Sequence, residues 1–149
     1  MAVEIISKNE AKLPKGNKCV LKVGFFDTAK YENGEYVAQV AFWNEYGTIS
    51  KKGNKHIPPR PFMRNVTDNQ NAMSRIFNVA KIELEKGTEN EWVAEICGEQ
   101  LAQMVKLSIT GGSYIPNSAY TIAKKGAGKR PLIDTALMLG SVAYKVEND

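Results

Sequence analysis

Two consecutive helix-forming segments constrain the fold of this 149-residue chain more than any other feature. Each opens with capping-box spacing, at 67–70 and again at 88–91, where Thr caps the first turn and Gln or Glu bonds back three residues later. Glycine ends the segments at Gly87 and at Gly111-Gly112. Helices joined by about one residue must bend sharply, so they are predicted to pack as a hairpin or corner. The residues predicted to be buried are Met73, Ile76, Phe77, Ala80 and Leu84 in the first helix, and Trp92 or Val93, Ile96/Cys97, Leu101, Met104/Val105 and Ser108 in the second.

The remaining periodic segments are typical of β-strands. Residues 19–26 alternate, and residues 36–43 are predicted to form a second strand after a hairpin turn at Asn33-Gly34. Residues 140–146 are predicted to form a final strand, after a short helix or turn at 132–139. The predicted inward faces are Cys19, Leu21, Val23 and Phe25 in the first strand and Val142, Tyr144 and Val146 in the last.

These elements predict an α+β fold in one domain, residues 1–149. A small antiparallel sheet would have the two consecutive helices packed on one face, and residues 1–17 would be a short strand or an N-terminal arm. Two long basic loops complete the prediction: 47–61 is rich in Gly and Pro, and 116–131 contains Gly126 and Gly128.

The charge of the chain is unevenly distributed. The net charge is +4, yet 49–64 holds five Lys/Arg and 121–131 holds four, with no acid in either segment. The rest of the chain is therefore acidic, most strongly between Asp68 and Glu99. Such polarity suits head-to-tail contact between subunits or a basic loop facing DNA, while the alternative is two solvated Lys-rich loops without a partner.

Several classes of protein are disfavoured by composition. There is no run of about 20 apolar residues and no secretory signal, so we expect no membrane association and a cytoplasmic location in the cell that makes the chain. Cys19 and Cys97 are predicted to be reduced, buried thiols, and a single histidine argues against a metal site. No cofactor is expected.

The chain is not expected to be an enzyme. Gly126-Ala-Gly128-Lys129 continues with Arg130-Pro131, so it lacks the hydroxyl that a phosphate-binding loop needs for Mg²⁺. His56 is the only histidine, so no nucleophile–histidine pair is evident. Asp134-Thr135 is better explained as the cap of a short turn or helix than as a catalytic carboxylate.

The roles of four aromatic residues remain open between two alternatives. Trp43, Tyr46, Phe62 and Trp92 could stack on nucleic-acid bases, or could belong to the core or to subunit interfaces. Phe62 follows a stiff Pro-rich run, so it could be an anchor that enters a partner's pocket, or it could fold back onto its own core.

Two groups of short motifs resemble those of the neck and tail-completion proteins of long-tailed bacteriophages. The first is E-x-G-T at 45–48, followed by R-P-F-[LM]-R at 60–64. The second falls on Asn117, Tyr120-Thr121-Ile122, Lys125-Gly126, 131–135, Leu139 and Ser141-Val142. The resemblance covers roughly 36–146. It departs at Ala136, where glycine is expected, and at Arg130, which intervenes between Lys129 and Pro131.

The resemblance implies a structural virion protein that completes the tail and joins it to the head as part of a six-fold neck ring. Its partners would be further copies, adjacent neck, connector or tail-terminator proteins, and packaged DNA in the ring lumen. The alternative function is a nucleic-acid-binding module that uses loops 49–64 and 121–131. The residues expected at subunit or partner interfaces are Tyr46, Arg60, Phe62, Met63, Arg64, Lys124, Lys125, Lys129 and Arg130. The residues expected to shape turns or caps are Gly47, Pro61, Pro131, Asp134 and Thr135.

Overall fold

The computed structural model describes residues 2–5, 18–26, 28–49, 51, 53, 55–117 and 136–148. Within these ranges the elements are, in order, β1 (Ala2–Ile5), β2 (Cys19–Phe25), α1 (Val37–Tyr46), β3 (Thr48–Ile49), β4 (Lys55–Ile57), α2 (Arg64–Thr67), α3 (Gln70–Glu85), α4 (Asn90–Gly111), α5 (Leu137–Gly140) and β5 (Val142–Asn148). All the strand pairs in these ranges are antiparallel, and helices make up the rest of the regular structure, which confirms the predicted α+β class.

An antiparallel three-stranded sheet in the order β1-β2-β5 forms one layer of the fold. The central strand β2 pairs Val23 with Val3 on one side and with Tyr144 on the other. Leu21, Val23 and Phe25 are buried, as their alternation predicts. In β5 the predicted inward face is also observed, because Val142 is buried and Tyr144 and Val146 pack against the core.

Helix α4 packs on β2 and β5, and α3 packs against α4. The predicted stripe of α4 is confirmed at Val93, Cys97, Leu101 and Val105, and Ile109 extends it. Gly98 permits the close approach of helix and sheet, because a Cβ there would lie 2.5 Å from the Tyr144 ring and 2.8 Å from Leu21. A side chain at this position would push the two layers apart.

The predicted glycines are found at the C-terminal ends of α3 and α4, but the predicted N-terminal caps of both helices are not. Gly87 follows α3 with φ +85°, and Gly112 ends α4. Both capping boxes are wrong. Asn69, rather than Thr67, caps α3 by accepting from the Ala72 amide at 3.0 Å, whereas Thr88 donates to Glu83 at 3.1 Å. Phe77 and Trp92 were predicted as residues of the buried helix faces, but both are exposed.

The predicted strand at 36–43 is wrong, because this segment forms helix α1. Apolar residues occupy almost every position of the segment, so a period of two and a period of 3.6 fit it equally well. A turn does form at Gly34, which has φ +85°, and the Tyr31 amide donates to Glu35 O at 2.9 Å, but it is not the predicted hairpin turn, because Asn33 does not take positive φ and a helix, not a second strand, follows. The turn leads through a single bridge, Lys30 to Tyr36, directly into the helix.

The first long loop is more ordered than predicted. Within 47–61, β3 and β4 form a small antiparallel hairpin in which Thr48 pairs with Ile57. Most of the second loop, 118–131, lies outside the described residues, as do 6–17 of the predicted N-terminal arm. The part of the arm that is described, β1, is a strand of the sheet.

The fold has two distinct ends along α4. At the start of α4, the Cys19 thiol at the beginning of β2 donates to Asn90 O at 3.5 Å. At the other end, Phe25 of β2 packs edge-on against Phe62, with ring centroids 5.9 Å apart. Strand β2 and helix α4 therefore run in the same direction, with α1 and the β3–β4 hairpin near the C-terminal end of α4. Among the described helices, none is long and apolar enough to cross a membrane.

Candidate functional site

Glu45, in the last turn of α1, is completely buried and joins α1 to the start of α2. Its carboxylate accepts from the backbone amides of Met63 at 2.9 Å and Arg64 at 3.1 Å, and from Arg64 Nε at 2.9 Å. Arg64 Nη2 also donates to the Glu45 carbonyl at 2.9 Å. A buried carboxylate is tolerated only when its oxygens are satisfied, and here both are.

Arg60 extends this network to a third segment of the chain. Its side chain is buried, and its Nη1 donates to Asn44 Oδ1 at 2.7 Å. Its Nε donates to Ile115 O at 3.0 Å, and its Nη2 lies 3.3 Å from Asn117 Oδ1. Burial lowers the pKa of the Arg60 guanidinium, but arginine titrates so far above neutrality that it stays charged.

We refer to Asn44, Glu45, Arg60, Arg64 and their partners at Met63 and 115–117 as the motif network. It brings together the E-x-G-T motif, the R-P-F-[LM]-R motif and Asn117 of the second motif group, which are far apart in sequence. The two motifs of the first group and Asn117 of the second therefore meet in space, and the bonds they form hold segments of one chain together.

Gly47 is the turn at which the chain leaves α1 for the hairpin. It has φ +76°, and a Cβ there would lie 2.8 Å from Ile57 O and 3.0 Å from Pro59 N. Thr48 Oγ1 accepts from the Ile57 amide at 3.2 Å. Two independent reasons therefore favour glycine at this position: the left-handed backbone conformation, and the close approach of the proline-rich backbone, which leaves no room for a Cβ.

Three of the predicted interface residues lie inside the chain's own core. Phe62 has no exposed surface, Met63 is 3% exposed and Arg60 is 5% exposed. The anchor interpretation of Phe62 is wrong, and the core interpretation is correct. The proline-rich run does deliver an aromatic ring into an apolar pocket, but the pocket belongs to the same chain.

Among the predicted interface residues that the structure describes, Tyr46 and Arg64 remain accessible. Arg64 lies over the Tyr46 ring, 5.0 Å from its centroid, and the centroids of the Phe42 and Tyr46 rings are 4.9 Å apart. Ile49, three residues after Tyr46, is 73% exposed, and Lys51 is exposed beside it in the hairpin. We call Phe42, Tyr46, Ile49, Lys51 and Arg64 the aromatic–basic surface.

Helix α1 is apolar on both of its faces. Val37, Ala38 and Ala41 are buried, while Phe42 and Tyr46 are about half exposed. An amphipathic surface helix would be polar on its outer face. Contiguous exposed apolar side chains of this kind are typical of surfaces that contact another molecule.

The other predicted site residues lie outside the described part of the chain; they are Lys124, Lys125, Lys129, Arg130, Pro131, Asp134 and Thr135. Ala136, where the resemblance expects glycine, has φ +61°, so an alanine occupies a left-handed conformation. Pro61 lies between Arg60 and the buried Phe62.

Sequence reasoning missed the roles of Asn44 and Glu45. A carboxylate near the end of an apolar segment was a usable signal for Glu45, because an acid there needs donors close by. Asn44 directly precedes the E-x-G-T motif, but nothing in the sequence indicated that it would bond to Arg60. Among the described residues, no group of three or more His, Cys, Asp or Glu could hold a metal ion.

No protein-family model, curated protein or solved structure matches the chain. Its function therefore has to be inferred from the motif network and from the exposed surface beside it.

Proposed function

We propose that this chain is a structural virion protein of a tailed phage or prophage, which completes the tail and joins it to the head as a subunit of a neck ring. The observation that carries the proposal is the convergence of the motif residues in one buried network directly beside the aromatic–basic surface. The motif residues serve to hold a contact surface in place.

The network explains how such a surface can be rigid. Glu45 and Arg64 fix the end of α1, and Arg60 fixes the run between the hairpin and α2. A surface that is ordered before binding loses little conformational entropy when a partner docks. This suits a protein whose task is to assemble with further copies and with adjacent neck, connector or tail-terminator proteins.

A second candidate is a nucleic-acid-binding module. It is favoured by the Lys/Arg of 49–64 other than the buried Arg60, because Arg64 is stacked on the accessible Tyr46 ring and no acid lies in the segment. The exposed Ile49 favours a protein partner instead, because an aliphatic side chain neither stacks on bases nor binds phosphate. DNA affinity that falls steeply as salt is raised would favour the second candidate.

The proposal is tested by complementation in a lysate of the encoding phage from which this gene has been deleted. We expect separate heads and tails by electron microscopy, and joined particles once the purified protein is added. Tyr46→Ser should abolish joining while leaving the melting temperature almost unchanged, whereas the matched control Phe77→Ser, also exposed and aromatic, should support joining. Heads and tails that join fully without the protein would refute the proposed function.

A further inference from the structure

A second surface with exposed apolar and acidic side chains lies at the opposite end of the fold. Around the turn between α3 and α4, Trp92 is 65% exposed, and Glu85, Glu89 and Glu91 are exposed beside it in the chain. The segment 81–99 contains two lysines and six glutamates, a net charge of −4. We call Glu85, Glu89, Glu91 and Trp92 the acidic surface.

The aromatic–basic surface and the acidic surface carry opposite charges, and each also exposes a large apolar side chain. The exposed charged residues of the aromatic–basic surface, Lys51 and Arg64, are both basic, and the segment 49–64 that contains them has no acid; Arg60 of this segment is buried and does not add to the surface charge. Each surface also exposes a large apolar side chain, Ile49 on one and Trp92 on the other. Apolar groups surrounded by opposite charges are the features by which protein surfaces select and orient one another.

Their positions exclude contact within one chain. Arg60, which precedes α2, bonds to Ile115 O just beyond the C-terminus of α4, whereas Trp92 lies in the first turn of α4. Helix α4 has 22 residues and therefore spans about 33 Å at 1.5 Å per residue. The aromatic–basic surface and the acidic surface thus lie at opposite ends of the longest helix.

We infer that the acidic surface of one copy docks on the aromatic–basic surface of the next copy. The contact uses different surfaces on the two partners, so it is head-to-tail and can repeat from copy to copy. A series of such contacts either closes into a ring or extends as a filament. The inference rests on the proposed function, in which copies form a ring, and it names the two surfaces and the second copy as the occupant.

Two surface variants test this contact in solution. Ile49→Ser alters only the aromatic–basic surface, Trp92→Ser alters only the acidic surface, and Phe77→Ser is the control at the middle of α3. Sedimentation velocity is run at low salt from micromolar to millimolar protein. We expect the wild-type chain and Phe77→Ser to associate. Each of the other variants alone should raise the dissociation constant about tenfold or more, as removal of an interface anchor does.

Mixing the two variants is the decisive measurement. Ile49→Ser keeps an intact acidic surface and Trp92→Ser keeps an intact aromatic–basic surface, so an equimolar mixture should form 1:1 dimers that go no further. These dimers should weaken as salt is raised. A mixture that stays monomeric, variants that associate like the wild-type chain, or a wild-type chain that stays monomeric throughout would each overturn the inferred contact.

Two further measurements distinguish loss of the head-to-tail contact from misfolding of a variant and from failure of the proposed function. Thermal melting of each variant establishes that it is folded; if Ile49→Ser is not, Lys51→Glu takes its place at the same surface. A wild-type chain that does not self-associate but still joins heads to tails in the lysate would overturn the head-to-tail contact and leave the proposed function standing. A wild-type chain that self-associates but does not join heads to tails would overturn the proposed function and leave the head-to-tail contact standing.

Discussion

Replacing Glu45 by glutamine removes one acceptor from the motif network without changing side-chain volume. The carboxylate accepts three N–H groups, from Met63 N, Arg64 N and Arg64 Nε. Glutamine keeps one oxygen, which can serve Met63, but its amide group then faces the two Arg64 donors. Hydrogen bonds to charged groups contribute about 1.5–3 kcal/mol each. Water can replace the bond to Nε, because the Arg64 side chain is 45% exposed.

The net loss for Glu45→Gln should therefore be that of one charge-assisted bond and one unsatisfied amide, about 2–3 kcal/mol. For a chain of this length, the melting temperature should fall by roughly 5–10 °C. Glu45→Ala should cost more, about 3–5 kcal/mol, because no acceptor remains. Urea unfolding followed by tryptophan fluorescence measures the free energy, and scanning calorimetry measures the melting temperature.

The control is Glu32→Gln, which makes the same chemical change on an exposed turn. It should alter stability by less than about 0.5 kcal/mol. If Glu45→Gln cost no more than Glu32→Gln, the carboxylate would not be holding α1 to α2, and the structural role assigned to the motif residues would be refuted.

Three further changes have definite expected outcomes in thermal melting. Phe62→Ala should cost about 3–5 kcal/mol, because the ring is fully buried; a loss below about 1 kcal/mol would place the ring outside the core. Ala136→Gly should stabilise the fold by about 0.5–1 kcal/mol by relieving a left-handed alanine, and destabilisation would contradict the observed φ of +61°. Gly47→Ala should cost clearly more than Gly34→Ala: both glycines have positive φ, but only Gly47 has backbone atoms against its Cβ position, so equal losses would show that crowding is unimportant.

The elements that sequence reasoning predicted correctly are those with an unambiguous period. Strand β2 alternates except at Val20, α4 has apolar residues three and four apart over 22 residues, and glycines mark the ends of both long helices. These signals are local, and they do not depend on which neighbour covers the buried face. The α+β class and the boundaries of β2, α4 and β5 follow from them to within about two residues.

Segments with no single period were decided by tertiary contacts. The run that forms α1 is apolar at almost every position, so its conformation depended on which side chains the neighbouring elements would cover, and Val37, Ala38 and Ala41 were buried on one helical face. The same holds for Phe62. A stiff, basic, proline-rich run presents an aromatic ring equally well to a partner or to its own core, and only the folded chain places that ring against Phe25.

The sequence by itself determined the elements with a single clear period, the uneven charge and the motif residues, because each of these depends on residues close together in the chain. The tertiary structure alone decided what the motif residues do. Glu45 and Arg60 each bond to segments at least 15 residues away, and Asn117 joins the same network from beyond the C-terminus of α4. A hydrogen bond depends on the separation of two atoms in space, and spacing along the chain does not fix that separation until the helices and strands have packed.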